Sequence, residues 1–341
     1  MSQTYQRIVL ASRPKGWPTA DNFRLETIPL PQPADNQLLV RVHYMSLDPY
    51  MRGRMDEGRS YAKPQELDET MGGGAVGEVV ESRHPDFRAG DKVVGPFGWQ
   101  EYALSDGQGL TKVDDTHVPL SAYLGPVGMP GMTAWYGYHK ILDPKPGETL
   151  VVSAASGAVG SVVGQLAKLN GVRAVGIAGG KQKCDYVVNE LGFDACVDYK
   201  QASNAKELYA LLKEATPDGI DCNFENVGGD VLNSVIARLN PFARVAICGL
   251  ISDYNNEPGQ VSRSAIANPK MFLVSRFKMQ GFIVSDHVDL WPQGLAELGE
   301  LVATKKLKYR ESIAQGLSSA PEAFLGLLSG KNFGKQLVKL V

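Results

Sequence analysis

The sequence is poor in cysteine, in charge of one sign and in long apolar runs. Only four cysteines occur in 341 residues: Cys184, Cys196, Cys222 and Cys248. No two are close in sequence and no C-x-x-C appears, so the spacing of a zinc or dithiol site is missing. Each lies in an apolar segment, where a free thiol acts as a small hydrophobe. Lys plus Arg number 35 and Asp plus Glu 37, a formal charge of −2. That balance leaves no electrostatic footprint for nucleic acid or an anionic membrane. No stretch approaches the ~18–20 apolar residues of a membrane span. The opening segment MSQTYQRIVLASRPKG lacks the continuous apolar core of a secretory signal. A soluble, cytoplasmic protein is expected.

What is present is glycine and alternation. Glycine makes up 37 of 341 residues, about 11% against a usual value near 7%. At about 150 residues per domain the length gives roughly two domains. Up to about residue 128 the pattern is mostly β. Leu38–Tyr44, Gly77–Ser82 and Asp91–Gly95 are short β-branched runs between Gly, Pro and Asp punctuation. Pro29, Pro31 and Pro33 keep the run 27–33 extended but outside a sheet interior. From 129 to about 305 strands alternate with helical segments. Strands are predicted at Thr149–Ser153, Arg173–Ala178, Ala195–Asp198, Gly219–Asn223 and Ala243–Cys248. Helices are predicted at Val159–Leu169, Lys183–Leu191, Ala205–Ala215 and Gly229–Leu239. This order implies a parallel sheet with crossover helices. The last residues return to short strands, ending in Gln336–Val341.

The most informative stretch is Ser153-Ala154-Ala155-Ser156-Gly157-Ala158-Val159-Gly160, running on to Gly164. A strand enters a small-residue turn and then a helix, a variant of G-x-G-x-x-G with alanine in place of an early glycine. Gly157 allows the tight turn, Gly160 the approach of backbone to a pyrophosphate, and Gly164 close packing of helix on sheet. The second strand ends in Gly179-Gly180-Lys181-Gln182-Lys183. An NAD site wants an acidic residue there. Lysines suit a 2′-phosphate instead, which favours NADP(H). The alternative is that Lys181 and Lys183 are solvated residues of a first helical turn.

On these and further runs the chain resembles the zinc-independent medium-chain dehydrogenase/reductases. Within them it is similar to the leukotriene/prostaglandin reductases, the alkenal double-bond reductases and, most closely, the bacterial NADPH-dependent curcumin reductases. The matching runs include Arg13-Pro14-Lys15-Gly16, Ser46-Leu47-Asp48-Pro49-Tyr50-Met51-Arg52-Gly53-Arg54-Met55 and Gly128-Met129-Pro130-Gly131-Met132-Thr133-Ala134. Later come Glu225-Asn226-Val227-Gly228-Gly229, Cys248-Gly249-Leu250-Ile251-Ser252-Asp253-Tyr254-Asn255, Gln280–Val284 and Lys331–Lys335. The resemblance implies an α/β chain: a Rossmann doubly wound parallel sheet plus a mostly β GroES-like catalytic domain. The catalytic domain would be discontinuous, 1–128 with 305–341, around a dinucleotide-binding domain at 129–304. A homodimer is implied too. For NADP(H) it implies contacts from Ser156, Gly157, Ala158, Val159, Gly160, Gly179, Lys183, Tyr199, Asn226, Cys248, Gly249, Phe282, Ile283, Val284 and Asn332. Zinc relatives carry Cys and Gly-His-Glu ligands where this chain reads Ser46–Tyr50 and Met71–Ala75. No Cys precedes residue 184, so no zinc is expected.

A nicotinamide without a metal can reduce an activated alkene. Hydride adds to the β-carbon of an α,β-unsaturated ketone or aldehyde, and charge moves to the carbonyl oxygen as an enolate. The protein must supply a donor for that oxygen and a proton for the α-carbon. A phenol, protonated at pH 7, does both. Tyr254, which follows the fifth strand, matches the family's tyrosine donor; from the residues alone it is equally a loop aromatic. The nicotinamide ribose hydroxyl is a rival donor. Tyr50, Met51, Arg52, Tyr61, Met129 and Trp135 are expected to border the substrate. Core packing competes for Met51 and Met129, and an ion pair with Asp48 or Asp56 for Arg52. Bulky Trp135, turned to the pocket, would narrow the substrate range. The rival functions are an NADPH-dependent quinone reductase and a non-catalytic NADPH-binding protein.

Overall fold

The computed structural model describes residues 3–58, 60–257 and 259–341. It divides into two compact units, residues 1–125 with 311–341, and residues 126–310.

In the discontinuous unit, strands β1 (Thr4–Leu10) and β2 (Phe23–Pro29) pair antiparallel, with Pro29 at the end of the ladder opposite Thr4. There its missing N–H costs no central ladder bond. Strand β3 (Leu38–Ser46) leads into the short helix α1 (Tyr50–Arg54), then β4 (Ala75–Ser82), β5 (Lys92–Gly95), β6 (Tyr102–Ser105) and β7 (Thr111–Lys112). Strand β3 pairs with β4 along its length and with β6 at its start, all antiparallel. The core gathers alternate apolar residues of these strands, Val40, Val42 and Val79 among them. Fully buried Trp99 stacks on Phe23, with ring centroids 5.4 Å apart.

The second unit opens with α2 (Met129–Tyr136) and then alternates β8 (Thr149–Ser153), α3 (Gly160–Leu169), β9 (Arg173–Ala178), α4 (Lys181–Asn189), β10 (Ala195–Asp198), α5 (Ala205–Ala215), β11 (Ile220–Glu225), α6 (Gly229–Ile236) and β12 (Leu239–Ile247). Helix α7 (Lys270–Ser275), β13 (Lys278–Gly281) and α8 (Trp291–Ala303) complete it. The six strands are parallel, in the order β10-β9-β8-β11-β12-β13. All five residues of β8 are buried, as a central strand covered on both faces requires. Asn204 caps α5 by accepting a hydrogen bond from the Glu207 amide (3.1 Å), and Leu208 and Leu212, one turn apart, face the core. Gly164 does what its place in the turn motif predicts: a Cβ there would lie 1.8 Å from Cζ of buried Phe193. Several boundaries differ from expectation: α4 runs Lys181–Asn189 rather than Lys183–Leu191, β11 runs Ile220–Glu225 rather than Gly219–Asn223, and α6 ends at Ile236 rather than Leu239. Strand β12 starts at Leu239, not Ala243, because a register shift beside Ile220 and the left-handed Phe242 (φ 67°) interrupt its pattern.

The chain returns to the first unit with β14 (Glu311–Gln315), α9 (Ala320–Leu328) and β15 (Lys335–Lys339). Strand β15 pairs antiparallel with the end of β3, and β14 lies parallel outside it.

Candidate active site

In the six-stranded sheet, chain order reverses between β8 and β11, the point where open α/β sheets bind ligands beyond their strand ends. The residues expected to hold the cofactor in this unit all follow the carboxyl end of a strand. Ser156–Gly160 follow β8, Gly179 follows β9, and Tyr199 follows β10. Asn226 follows β11, Cys248 and Gly249 follow β12, and Phe282–Val284 follow β13. One sheet thus gathers segments spread over 129 positions.

After β8 the backbone turns through Ala154 in the left-handed region (φ 50°), where the motif's early glycine would sit. Gly160 passes so close that a Cβ would meet the Ala154 carbonyl oxygen at 2.5 Å. In the first turn of α3 the Ser161 amide bonds back to the Gly157 carbonyl (3.1 Å) and the Val162 and Val163 amides to the Val159 carbonyl (3.0 and 3.1 Å), so the positive end of the helix is aimed at the glycine turn.

Beyond β9 and β10 lies a cationic corner. Lys181 is drawn off into an ion pair with Asp185, at 2.6 Å. Half-buried Lys183 has its pKa lowered by burial and then by the charge of Lys200. The charge of Lys200 disfavours a second ammonium at Lys183, a cost that an anion bound at this corner would offset. Asp198 fixes this corner by accepting from the Gly180 amide (2.7 Å) and the Lys200 amide (3.0 Å). The Tyr199 hydroxyl lies over Gly179, where a Cβ would be 2.8 Å from it. A cavity of about 580 Å³ opens beside Tyr199, lined further by Asn204, Val227, Gly228, Ser252 and Arg263. That volume accommodates a nucleoside-sized group.

At the end of β11 the polar groups are tied together. Asn226 donates through its backbone N–H to Ser153 Oγ (2.7 Å) and through Nδ2 to the Ser153 carbonyl (2.8 Å). Buried Glu225 accepts from Ser153 Oγ (2.9 Å). Its own carbonyl accepts from the amides of Cys248 (2.9 Å) and Gly249 (3.1 Å). Burial pushes the Cys248 thiol up to about 12, so it stays a neutral thiol at physiological pH.

Tyr254 caps a short turn after β12, and its hydroxyl folds back over Gly249, 2.9 Å from where a Cβ would stand. The neighbouring Asp253 carboxylate organises this loop. It accepts from Ser262 Oγ (2.7 Å), the Arg263 amide (2.7 Å), the Ser264 amide (3.2 Å) and Asn256 Nδ2 (2.9 Å). Burial opposes its ionisation, but these hydrogen bonds prevail and its pKa falls. Phe282 is held against Tyr136 (5.5 Å) and Phe224 (6.1 Å).

In the discontinuous unit, Asn332 donates to the Gly334 carbonyl (2.8 Å) beside β15. The turn after β3 carries Tyr50, whose hydroxyl is kept protonated by burial and then by the Asp48 charge. Tyr61 is 62% exposed. Arg52 is buried and pairs with Asp56 (2.8 Å) while donating to the Gly16 carbonyl (2.7 Å). Asp48 pairs instead with Lys335 and accepts from Ser46. An ammonium therefore occupies the carboxylate of this turn. Among the described residues no three His, Cys, Asp or Glu side chains converge as ligands.

Three expectations for the substrate wall need correction, and Arg52 is the first: 1% exposed, it is held by Asp56 and the Gly16 carbonyl. Met51 is 1% exposed and packs into the β core, its Cε against Gly73. Trp135 is 1% exposed within the parallel-sheet unit, with its indole N–H on Glu297 (2.8 Å) and its ring beside Gly294 of α8. Its bulk fills an interhelical gap. Met129, at the start of the same helix, is partly exposed. Sequence reasoning missed Lys200, Ser153 and Asp253, whose roles rest on tertiary proximity. It also missed the contact of Cys184 Sγ with Cys196 Sγ (3.0 Å), which joins α4 to β10 across twelve residues.

Comparison with known proteins agrees with this architecture. Residues 6–113 match the family described as the N-terminal domain of oxidoreductase, and residues 158–300 the family described as zinc-binding dehydrogenase. The chain is 46% identical to the NADPH-dependent curcumin reductase of Escherichia coli, over 99% of this chain and 97% of that one. It is 42% identical to the 2-alkenal reductase (NADP(+)-dependent) of Nicotiana tabacum, over 98% and 96%. The crystal structure of CurA in complex with NADPH from Vibrio vulnificus superposes with a TM-score of 0.91 at 48% identity, covering 98% of this chain and 99% of that one. A parallel sheet ordered around β8 and β11, a separate β unit and whole-length identity above 40% place this chain in the medium-chain dehydrogenase/reductase family, beside its curcumin, 2-alkenal and prostaglandin reductases.

Proposed function

We propose that this protein is an NADPH-dependent reductase of the C=C bond of α,β-unsaturated ketones and aldehydes. The observation that carries the reading is the whole-length likeness to the curcumin and 2-alkenal reductases. The discontinuous unit is the catalytic domain and residues 126–310 the nucleotide-binding domain.

The residues of the nucleotide-binding unit fit the cofactor. Ser156–Gly160 at the start of α3 receive the pyrophosphate, and Lys183, Tyr199 and Lys200 the 2′-phosphate. Gly179, Asn226, Cys248, Gly249, Phe282–Val284 and Asn332 complete the set. The fit is supported by the charge of Lys200 acting on Lys183 and by the cavity beside Tyr199. Bound NADPH supplies the hydride that reaches the substrate β-carbon. Tyr254 donates a hydrogen bond to the carbonyl oxygen as enolate charge develops, and its proton path leads to the α-carbon. One proton taken up from solvent restores the phenol, and the products are the saturated carbonyl compound and NADP⁺. Tyr50, Tyr61 and Met129 border the substrate.

The enzyme works as a homodimer in the cytoplasm, where NADPH is the reductant at hand. Strand β13 ends the sheet, and the preceding helix exposes Phe272, Leu273 (77%) and Val274. An open edge beside an apolar surface is suited to a second copy of the chain. Light scattering at the mass of two chains is the expected result.

The test of activity follows NADPH oxidation with a medium-chain enone, a simple quinone and a matched saturated ketone. Turnover of the enone alone, with a product two hydrogens heavier and its carbonyl intact, supports the proposal. Faster turnover of the quinone overturns it in favour of a quinone reductase. NADPH binding with no turnover of any of the three indicates a non-catalytic binder.

A further inference from the structure

Glu225 is fully buried at the end of β11, and no Lys or Arg pairs with it among its hydrogen-bond partners. Its Oε1 accepts from Ser153 Oγ (2.9 Å), the Val227 amide (2.7 Å) and the Gly228 amide (2.8 Å). Its Oε2 accepts from Asn223 Nδ2 (3.1 Å). Ser153 passes the linkage on by accepting from the Asn226 amide. The Glu225 main-chain carbonyl holds the Cys248 and Gly249 amides, and the Asn226 and Val227 carbonyls hold those of Ile251 and Ser252. The Glu225 side chain thus joins the end of β8 to the turn into α6, while the segment leading to Tyr254 hangs on main-chain carbonyls that a side-chain substitution leaves in place.

A carboxylate in such a place is costly, since burying a charge without a counter-charge disfavours it. Burial raises the pKa of Glu225 accordingly. What the charge secures is the convergence of three donors on a single oxygen, because charge-assisted bonds are shorter and stronger than neutral ones. We propose that Glu225 is a positioning residue, which sets the register of the glycine turn leaving β8 against the turn into α6 through Ser153 and the Val227 and Gly228 amides, and thereby the affinity for the dinucleotide. This rests on the NADPH reading above. It concerns the part common to NADPH and NADH, so it acts on both alike, whereas Lys183 distinguishes them.

The informative variant is Glu225→Gln. Its amide oxygen still meets the three donors. Its new N–H₂ finds an acceptor when the Asn223 amide turns over, since Asn223 Oδ1 is buried without a partner among the described residues. Retention of the fold is checked by the melting temperature. NADPH and NADH binding are measured by fluorescence titration, with steady-state kinetics on the enone alongside. The expected result is an unchanged melting temperature and a roughly tenfold weaker Kd for both nucleotides, by the same factor, from loss of the charge-assisted bonds. KM for both rises together while kcat stays within twofold. Ser153→Ala, which cuts the same linkage from the other side, gives the same common factor and serves if Glu225→Gln does not fold. Unchanged Kd in a folded variant overturns the inference, as does a fall in kcat with KM constant. Failure of the wild-type protein to bind NADPH overturns the cofactor reading instead, and the two outcomes are separate.

Discussion

Lys335 Nζ lies 2.6 Å from Asp48 Oδ1, a buried ion pair between residues 287 positions apart. The ammonium also donates to the Leu47 carbonyl (2.8 Å), and Ser46 donates to the other carboxylate oxygen. This knot fixes β15 to the turn that carries Tyr50. Removing one member of a buried pair leaves the other charged and unpaired, at a cost of about 3–5 kcal/mol. Lys335→Met is expected to lose that much in urea unfolding of the protein. Lys335→Met with Asp48→Asn should recover most of it. A loss of under about 1 kcal/mol for the single variant would show that the pair carries little.

Gly164 and Phe193 make a second, apolar test. A methyl at 164 would fall 1.8 Å from the Phe193 ring. Helix α3 must then move off the sheet, and overpacking of this kind costs about 1–3 kcal/mol. Gly164→Ala should lower the melting temperature, and a second change, Phe193→Leu, should restore part of it. If Gly164→Ala melts like the parent, the helix sits further from Phe193 than described.

The fold was legible because its signals are local. The glycine turn, the five predicted strands with helices between them and the ordered family runs each lie within a dozen residues. The substrate wall was less so. Met51 and Trp135 are as apolar as any pocket residue, and nothing in a linear pattern says which way a side chain turns. Trp135 is fixed by Glu297 and Gly294, which lie about 160 positions away. Lys200 went unnoticed for the same reason: the charge of one lysine matters to another only once β9 and β10 lie side by side.

That lysine pair sets a pH dependence. Lys183 has its folded pKa below its ordinary 10.5. Between the two values the unfolded chain holds more protons, so stability of the free protein rises with pH there. A bound 2′-phosphate favours the charged amine, so NADPH affinity falls as pH climbs through the same window below 10.5. NADH affinity, lacking that phosphate, should stay flat. Lys183→Ala should raise the NADPH Kd at neutral pH by about tenfold or more and abolish the difference in slope. Lys200→Ala should show a smaller loss. Parallel pH profiles for the two nucleotides in fluorescence titrations would place the 2′-phosphate elsewhere.

Tyr254 ends the short turn Ile251–Asp253 that follows β12. The hydroxyl folds over Gly249 at the end of β12, on a loop held by the four hydrogen bonds to Asp253. A donor aimed at a developing enolate contributes in the transition state, not in the ground state, so its loss lowers kcat and leaves KM alone. Tyr254→Phe is expected to slow enone reduction by about a hundredfold, within the range for a lost acid or oxyanion donor. NADPH Kd and melting temperature should not move. Asp253→Asn weakens the loop that holds the phenol rather than the phenol itself. It should therefore lower kcat by a smaller factor, and add little to Tyr254→Phe when the two are combined. A Tyr254→Phe variant with parental kcat would transfer the donor's role to the nicotinamide ribose hydroxyl.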